Sequence, residues 1–207
     1  MGVLMKMKAS ELSKNVIEID KDRFDFLMYA YFGADENPYS AASKRAYRDL
    51  CRTLRFYGGS GLEYRKHIDN LLEIRITNLI NTDIKSQKQY DDWHHALCDE
   101  MVTYYKTTGV KFNIGQAQKW VNMAFKYLYI HGGVDISGVF DFLHIPLDIY
   151  VFSAVEAELL ISRPCSFWSK ITDYNVYIDY QKEVRKKIDI PPLRWEFRHW
   201  TTEAMRN

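Results

Sequence analysis

Cysteine is scarce in this sequence. Only Cys51, Cys98 and Cys165 occur, widely spaced and without a C-x-x-C pair. An odd, scattered set argues against a disulfide framework and against a structural zinc site. Three thiolates are also too few for a four-cysteine iron–sulfur cluster. The thiols are expected to be free, in a reducing compartment. Long apolar runs are missing as well: no stretch of about eighteen apolar residues occurs, so no membrane span is expected. Residues 1–15 carry Lys6, Lys8 and Lys14 but no apolar core of a secretory signal, which points to a cytoplasmic protein. Nor is there a surplus of one charge. Lys and Arg number 28 against 27 Asp and Glu, a net charge of +1. That excludes a tight grip on nucleic acid through global charge and leaves only a local basic face for the purpose. Low-complexity tracts and strand-like alternation are both wanting, which disfavours disorder and sheet in turn.

What is present is hydrophobic and aromatic: 47% of residues are hydrophobic, with 15 Tyr and 5 Trp. Their spacing is helical. Residues 21–33 place Phe24, Leu27, Met28 and Tyr31 on one face and stop at Gly33. Asn37-Pro38 opens a helix to about Phe56, with Ala42, Tyr47, Leu50 and Leu54 on one side. Gly58-Gly59-Ser60-Gly61 breaks it. Residues 62–81 carry Ile68, Leu71, Leu72, Ile76 and Leu79 at helical spacing. Asp83 is a candidate cap for the next helix, whose stripe is Tyr90, Trp93, Leu97, Met101 and Tyr104. Further helices are expected over 114–131, 137–143, 147–160 and 174–187, and a last one holds Trp195, Phe197 and Trp200. The fold class is all-α. The chain reads as a single compact helical unit over 1–207, with candidate lobes 1–109 and 110–207 and the C-terminal helices packing back.

Two segments carry chemistry. In Phe112-Asn113-Ile114-Gly115-Gln116-Ala117-Gln118-Lys119-Trp120 a turn containing Gly115 runs directly into a helix. The amides of such a turn can receive a phosphate, which makes Ile114, Gly115, Gln116 and Gln118 candidate contacts to a DNA backbone. Lys119 stands near the positive end of the helix dipole, where the neutral amine, the nucleophilic form, is slightly favoured. In His144-Ile145-Pro146-Leu147-Asp148-Ile149, Pro146 stiffens the chain before a helix and Asp148 falls in its first turn among apolar neighbours. A carboxylate so placed is either a cap or a functional acid.

A Gly-containing turn, a lysine early in the following helix and a later Pro-x-Asp element together resemble the helix-hairpin-helix DNA glycosylases. The second lysine, Lys126, and the 29 positions between Lys119 and Asp148 look most like the archaeal 8-oxoguanine glycosylase branch. The turn has one glycine where the family usually has two, and the Gly132-Gly133-Val134-Asp135 connection has no counterpart there. The resemblance implies a two-lobed helical bundle with a helix-hairpin-helix element and a cleft between lobes. It implies a monomer acting on double-stranded DNA with a flipped, damaged or modified base, without metal or cofactor. Lys119 would attack the sugar and Asp148 would assist, with AP-lyase activity as a further step. Trp93, His94, Trp120 and His144 are candidate walls of the base pocket.

Taken singly, Lys119 is a surface lysine and Asp148 a helix-start residue; only their combination points to catalysis. His94 and His95, adjacent on a helix, diverge and suit a surface or cleft position better than a metal pair. Arg65 and His67 suggest a helical nuclease only weakly at their spacing. Arg185-Lys186-Lys187 reads as a solvated helix end, and Tyr174, Tyr177 and Tyr180 as a packing stripe. The alternatives are a non-catalytic helical module that binds DNA or protein and, behind it, the nuclease.

Overall fold

The computed structural model describes residues 20–56 and 61–206. Lys6, Lys8 and Lys14 and the Gly58-Gly59-Ser60 breaker lie outside the described residues. Among the described residues there are nine α-helices and no strand. None of these helices is long and apolar enough to cross a membrane.

Helix α1 (Lys21–Phe32) belongs to a compact unit that ends at Ala34. Asp20 caps it by accepting the Arg23 amide, and Gly33 closes it at φ 81, a conformation that suits glycine. The expected apolar face of α1 is not a core face. No residue of the helix is buried, and Phe24 and Leu27 are about half exposed.

All other described elements belong to a second unit that begins at Asp35, and the anticipated lobe boundary near residue 109 falls inside it. Helix α2 (Pro38–Leu50) is capped by the Asn37 side chain, with Pro38 in the first turn as expected. It stops sooner than periodicity suggests. Cys51–Thr53 form a 3-10 turn and the chain is extended by Leu54. The cause is tertiary: the Thr53 carbonyl, which a continuing helix would use, accepts from Gln116 instead, and the Thr53 hydroxyl takes the Leu50 carbonyl. Helix α3 (Leu62–Ile80) buries Ile68, Leu71, Leu72, Ile76 and Leu79 as their spacing predicts. Helix α4 (Gln87–Thr107) is capped by Ser86 rather than Asp83. Its buried stripe includes His94, Cys98 and Tyr105 in place of Trp93 and Tyr104.

Helix α5 (Ile114–His131) is the axis of this unit. Every residue from Ile114 to Leu128 is buried. It packs most extensively on α2, and also on α4 and on the 3-10 turn Trp168–Lys170. A reciprocal capping box between Asn113 and Gln116 starts it, and Gly132 at φ 70 ends it. Helix α6 (Ser137–Phe140) is shorter than expected, and residues 143–148 have no regular secondary structure. Helix α7 (Ile149–Leu159) follows, then α8 (Tyr174–Lys187) and α9 (Pro192–Ala204), which packs on α7. Tyr174, Tyr177 and Tyr180 are all buried on α8.

Candidate active site

A helix buried on all sides is ordinarily apolar, because a polar group taken from water costs stability unless it is hydrogen-bonded. Helix α5 nevertheless buries Gln116, Gln118, Lys119, Asn122 and Lys126. Each of the five has a partner, and those partners build the site.

Lys119 is 3% exposed, and its Nζ lies 2.6 Å from Asp148 Oδ2. Asp148 is the N-cap of α7, one position earlier than the first-turn place expected for it. Its other oxygen accepts the Val151 amide at 2.8 Å. The Trp200 indole, on α9, donates to Oδ2 at 3.4 Å. Burial pushes the Asp148 carboxyl up, but the Lys119 charge and hydrogen bond, the Val151 amide and the Trp200 indole together outweigh it. They hold the group below its ordinary value. The carboxylate is therefore ionised and fixed in direction at neutral pH.

Two turns along α5, Lys126 meets Glu196 at 2.7 Å in a second buried ion pair. Lys126 Nζ also lies 4.9 Å from the Phe197 ring and 5.0 Å from the Trp200 ring. Burial raises the Glu196 carboxyl against the opposing pull of Lys126. Its Oε2 has no hydrogen-bond partner among the described residues. Trp200 thus touches both pairs. In the sequence Lys126 is only a mark of the resemblance, and Trp200 only a member of the last helix. Their signals were legible: Lys119 and Lys126 are seven apart, and Glu196 and Trp200 four apart, each spacing returning to one helix face.

The residues expected to contact a DNA backbone are occupied inside the protein. Ile114 is buried in the core. The Gly115 amide donates to the Ile171 carbonyl at 2.8 Å, and a β-carbon at Gly115 would lie 1.9 Å from the Trp168 carbonyl oxygen. The glycine serves a close approach of two backbones, not a phosphate. The Gln116 amide is taken by Asn113, and its side chain by Asn113 and Thr53. The Gln118 side chain is buried against Gly115 and Leu147.

The four residues expected in a base pocket do not line the Lys119–Asp148 pair either. Trp120 is fully buried, and its indole donates to Ser43 on α2. Trp93 is half-buried, edge-on to Phe125, in a surface cleft with Arg75, Leu79 and Ile84. His94 and His144 belong to a buried network behind the pair. Burial holds both imidazoles below their ordinary values, so both are neutral at neutral pH. The hydrogen bonds assign the tautomers: His144 donates from Nε2 to Asp91 at 2.9 Å and accepts at Nδ1 from Tyr177 at 2.8 Å. His94 donates to Asn122 at 3.2 Å, and Asn122 donates to Tyr177 at 2.8 Å. His94 is thus a core residue, not a surface one, and of the adjacent pair only His95 is exposed.

Arg65 pairs with Asp69, and His67 stacks on Tyr104 at 3.8 Å, so the two share no site. Arg185, read as solvated, reaches back to the Asp141 and Phe142 carbonyls. Among the described residues no group of three or more His, Cys, Asp or Glu side chains is arranged to hold a metal ion.

No protein-family model matches the chain, and no match is found among curated proteins or among solved structures.

Proposed function

We propose that this protein is a DNA glycosylase of the helix-hairpin-helix type, most like the archaeal 8-oxoguanine branch, that excises a damaged or modified base through a lysine Schiff base. The observation that carries the reading is the Lys119–Asp148 contact: a buried amine 2.6 Å from a carboxylate that a helix N-terminus holds in place. Such a pair matches the demands of an amine nucleophile, which must be shut from water and must pass its proton to an acceptor within hydrogen-bond reach.

In the proposed reaction a nucleotide leaves the duplex stack and presents its sugar to Lys119. Asp148 takes a proton from the amine. The nitrogen lone pair forms a bond to C1′, and the glycosidic bond breaks with its electrons leaving on the base, which takes up the proton held by Asp148. Opening of the sugar ring gives the imine. Loss of a C2′ proton can then expel the 3′ phosphate, the lyase step. Once its proton has gone to the base, the Asp148 carboxylate stabilises the positive charge carried by the sugar and the imine. The Lys126–Glu196 pair, with a buried acceptor left unpaired beside an indole, supplies polar and stacking groups next to the same centre. A two-lobed arrangement with a helix-hairpin-helix element comes with this reading. Its DNA contacts are then made elsewhere than at the Gly115 turn, whose amides are spent.

The test is borohydride trapping on duplexes carrying 8-oxoguanine, uracil, a modified cytosine or an abasic site. A covalent protein–DNA band on a base-bearing duplex, lost in Lys119→Gln, is expected, with the oxidised purine the favoured substrate. No band on any duplex, with DNA retained equally by wild type, Lys119→Gln and Asp148→Asn, would leave the pair a structural ion pair in a binding module.

A further inference from the structure

Residues 143–147 are fully buried, yet they belong to no helix or strand whose backbone bonds would satisfy them. A buried peptide group cannot stay unpaired. Two glutamine side chains meet the need, each acting as a surrogate peptide. Gln181, on α8, accepts the Ile145 amide at 3.2 Å and donates to the Ile145 carbonyl at 2.8 Å. Gln118, on α5, accepts the Leu147 amide at 3.2 Å and donates to the Leu147 carbonyl at 3.3 Å. Gln118 is itself saturated: its second donor bond goes to the Gly115 carbonyl at 2.9 Å, and its oxygen also accepts from Asn122 at 3.2 Å. Asn122 is in turn held by the His94 and Tyr177 bonds described above.

The register of this clamp is informative. Gln118 immediately precedes Lys119, and Leu147 immediately precedes Asp148. The amide clamp and the ion pair each join positions 29 apart. They are consecutive rungs of one crossing between α5 and the segment that enters α7. A shift of Leu147 along α5 would carry Asp148 away from Lys119 by a similar distance.

We propose that Gln118 is a positioning residue for the Lys119–Asp148 site, seconded by Gln181, its amide gripping the Leu147 peptide so that the Asp148 carboxylate is delivered to the amine. The role is distinct from phosphate contact, and it rests on the lysine–aspartate reading of the site. A polar group that holds a reacting pair in register acts on the rate through geometry, and a misplacement of about 1 Å can cost on the order of a hundredfold.

The experiment is single-turnover borohydride trapping on an abasic-site duplex from pH 4 to pH 9. It compares wild type, Gln118→Met, Gln181→Met and Gln118→Glu, with the folded fraction of each taken from its thermal melt. Methionine keeps the bulk and, at Gln118, removes both hydrogen bonds to Leu147 together with those to Gly115 and Asn122; glutamate keeps the acceptor for the Leu147 amide. The expected result is a rate lower by roughly tenfold to a hundredfold per folded molecule in Gln118→Met. Gln181→Met should lose less, because it grips two residues further from Asp148. The acid limb of the profile should move to higher pH as the carboxylate leaves its lysine, and Gln118→Glu should recover part of the loss. Should Gln118→Met not fold, Gln181→Met and Gln118→Glu decide by the same limb. Rates that merely follow the folded fraction, with the acid limb in place, would overturn the positioning role while leaving the glycosylase reading intact. If wild type itself forms no adduct on the abasic or any base-bearing duplex, it is the glycosylase reading that fails, and the positioning role with it.

Discussion

Asp148, half-buried, and Glu196, buried, are acids beside lysines, and although burial raises both, their net shifts are opposite. Asp148 has three donors and stays below its ordinary value; Glu196 has one, leaves an oxygen unpaired and rises. For Asp148 the folded value lies under the unfolded one, so its contribution to stability is present above about pH 3.9 and is lost as pH falls through the folded value. For Glu196 the folded value lies above, so its contribution is complete at low pH and is lost as pH rises through that value. Denaturant unfolding at a series of pH values should therefore show two trends. The gap between wild type and Asp148→Asn should close toward acid. Relative to Glu196→Gln, wild type should lose stability as pH rises above about 4.3. In the proposed reaction, Asp148→Asn should slow adduct formation by on the order of a hundredfold or more, since it removes the proton acceptor, and Lys119→Gln should abolish it. Lys126→Met strands a buried carboxylate and should cost about 3–5 kcal/mol in a denaturant titration.

Helix α5 concentrates both the packing and the buried polar groups of its unit in one element. Its start depends on a capping box and on a glycine pressed against the Trp168 carbonyl. Gly115→Ala should lower stability by about 1–3 kcal/mol, read as a shift in denaturation midpoint, because the turn at Trp168 must move. Asn113→Ala should cost about 1 kcal/mol by the same measure. The element's bounds were plain in the sequence, since an apolar period closed by Gly132 is a local signal, as were α8 and the core face of α3. The Lys119–Asp148 pair was legible too, because turn, lysine, proline and aspartate come in a telling order. What stayed hidden was set by distant partners. The end of α2 is fixed by Gln116 on another helix, and the polarity of Gln118 looked like a phosphate contact when its partner is a buried peptide. His94 reads as a surface residue until Asn122 and Tyr174 are seen around it. The Gly115 turn misled for a related reason: glycine permits close approach of any backbone, and the sequence does not say whose.

On the scale of the whole molecule, the unit from Asp35 onward contains every residue of the proposed site, and α1 contributes no buried residue. A chain starting at Asp35 should therefore keep a cooperative thermal transition within a few degrees of the full chain, and should keep the Lys119 adduct if the full chain forms one. The irregular, buried stretch before Asp148 also bears on hydrogen exchange. Amide hydrogens usually exchange slowly with solvent where helices or sheets hold them, and quickly in loops. Here Ile145 and Leu147 are loop residues by conformation and core residues by bonding, with Pro146 between them offering no hydrogen at all. In deuterated buffer these two hydrogens should persist alongside those of α5, as isolated slow sites in a stretch without regular structure. The Leu147 hydrogen, held by Gln118, would open only when the crossing that joins Lys119 to Asp148 opens, and so would act as a clock on how often this site comes apart.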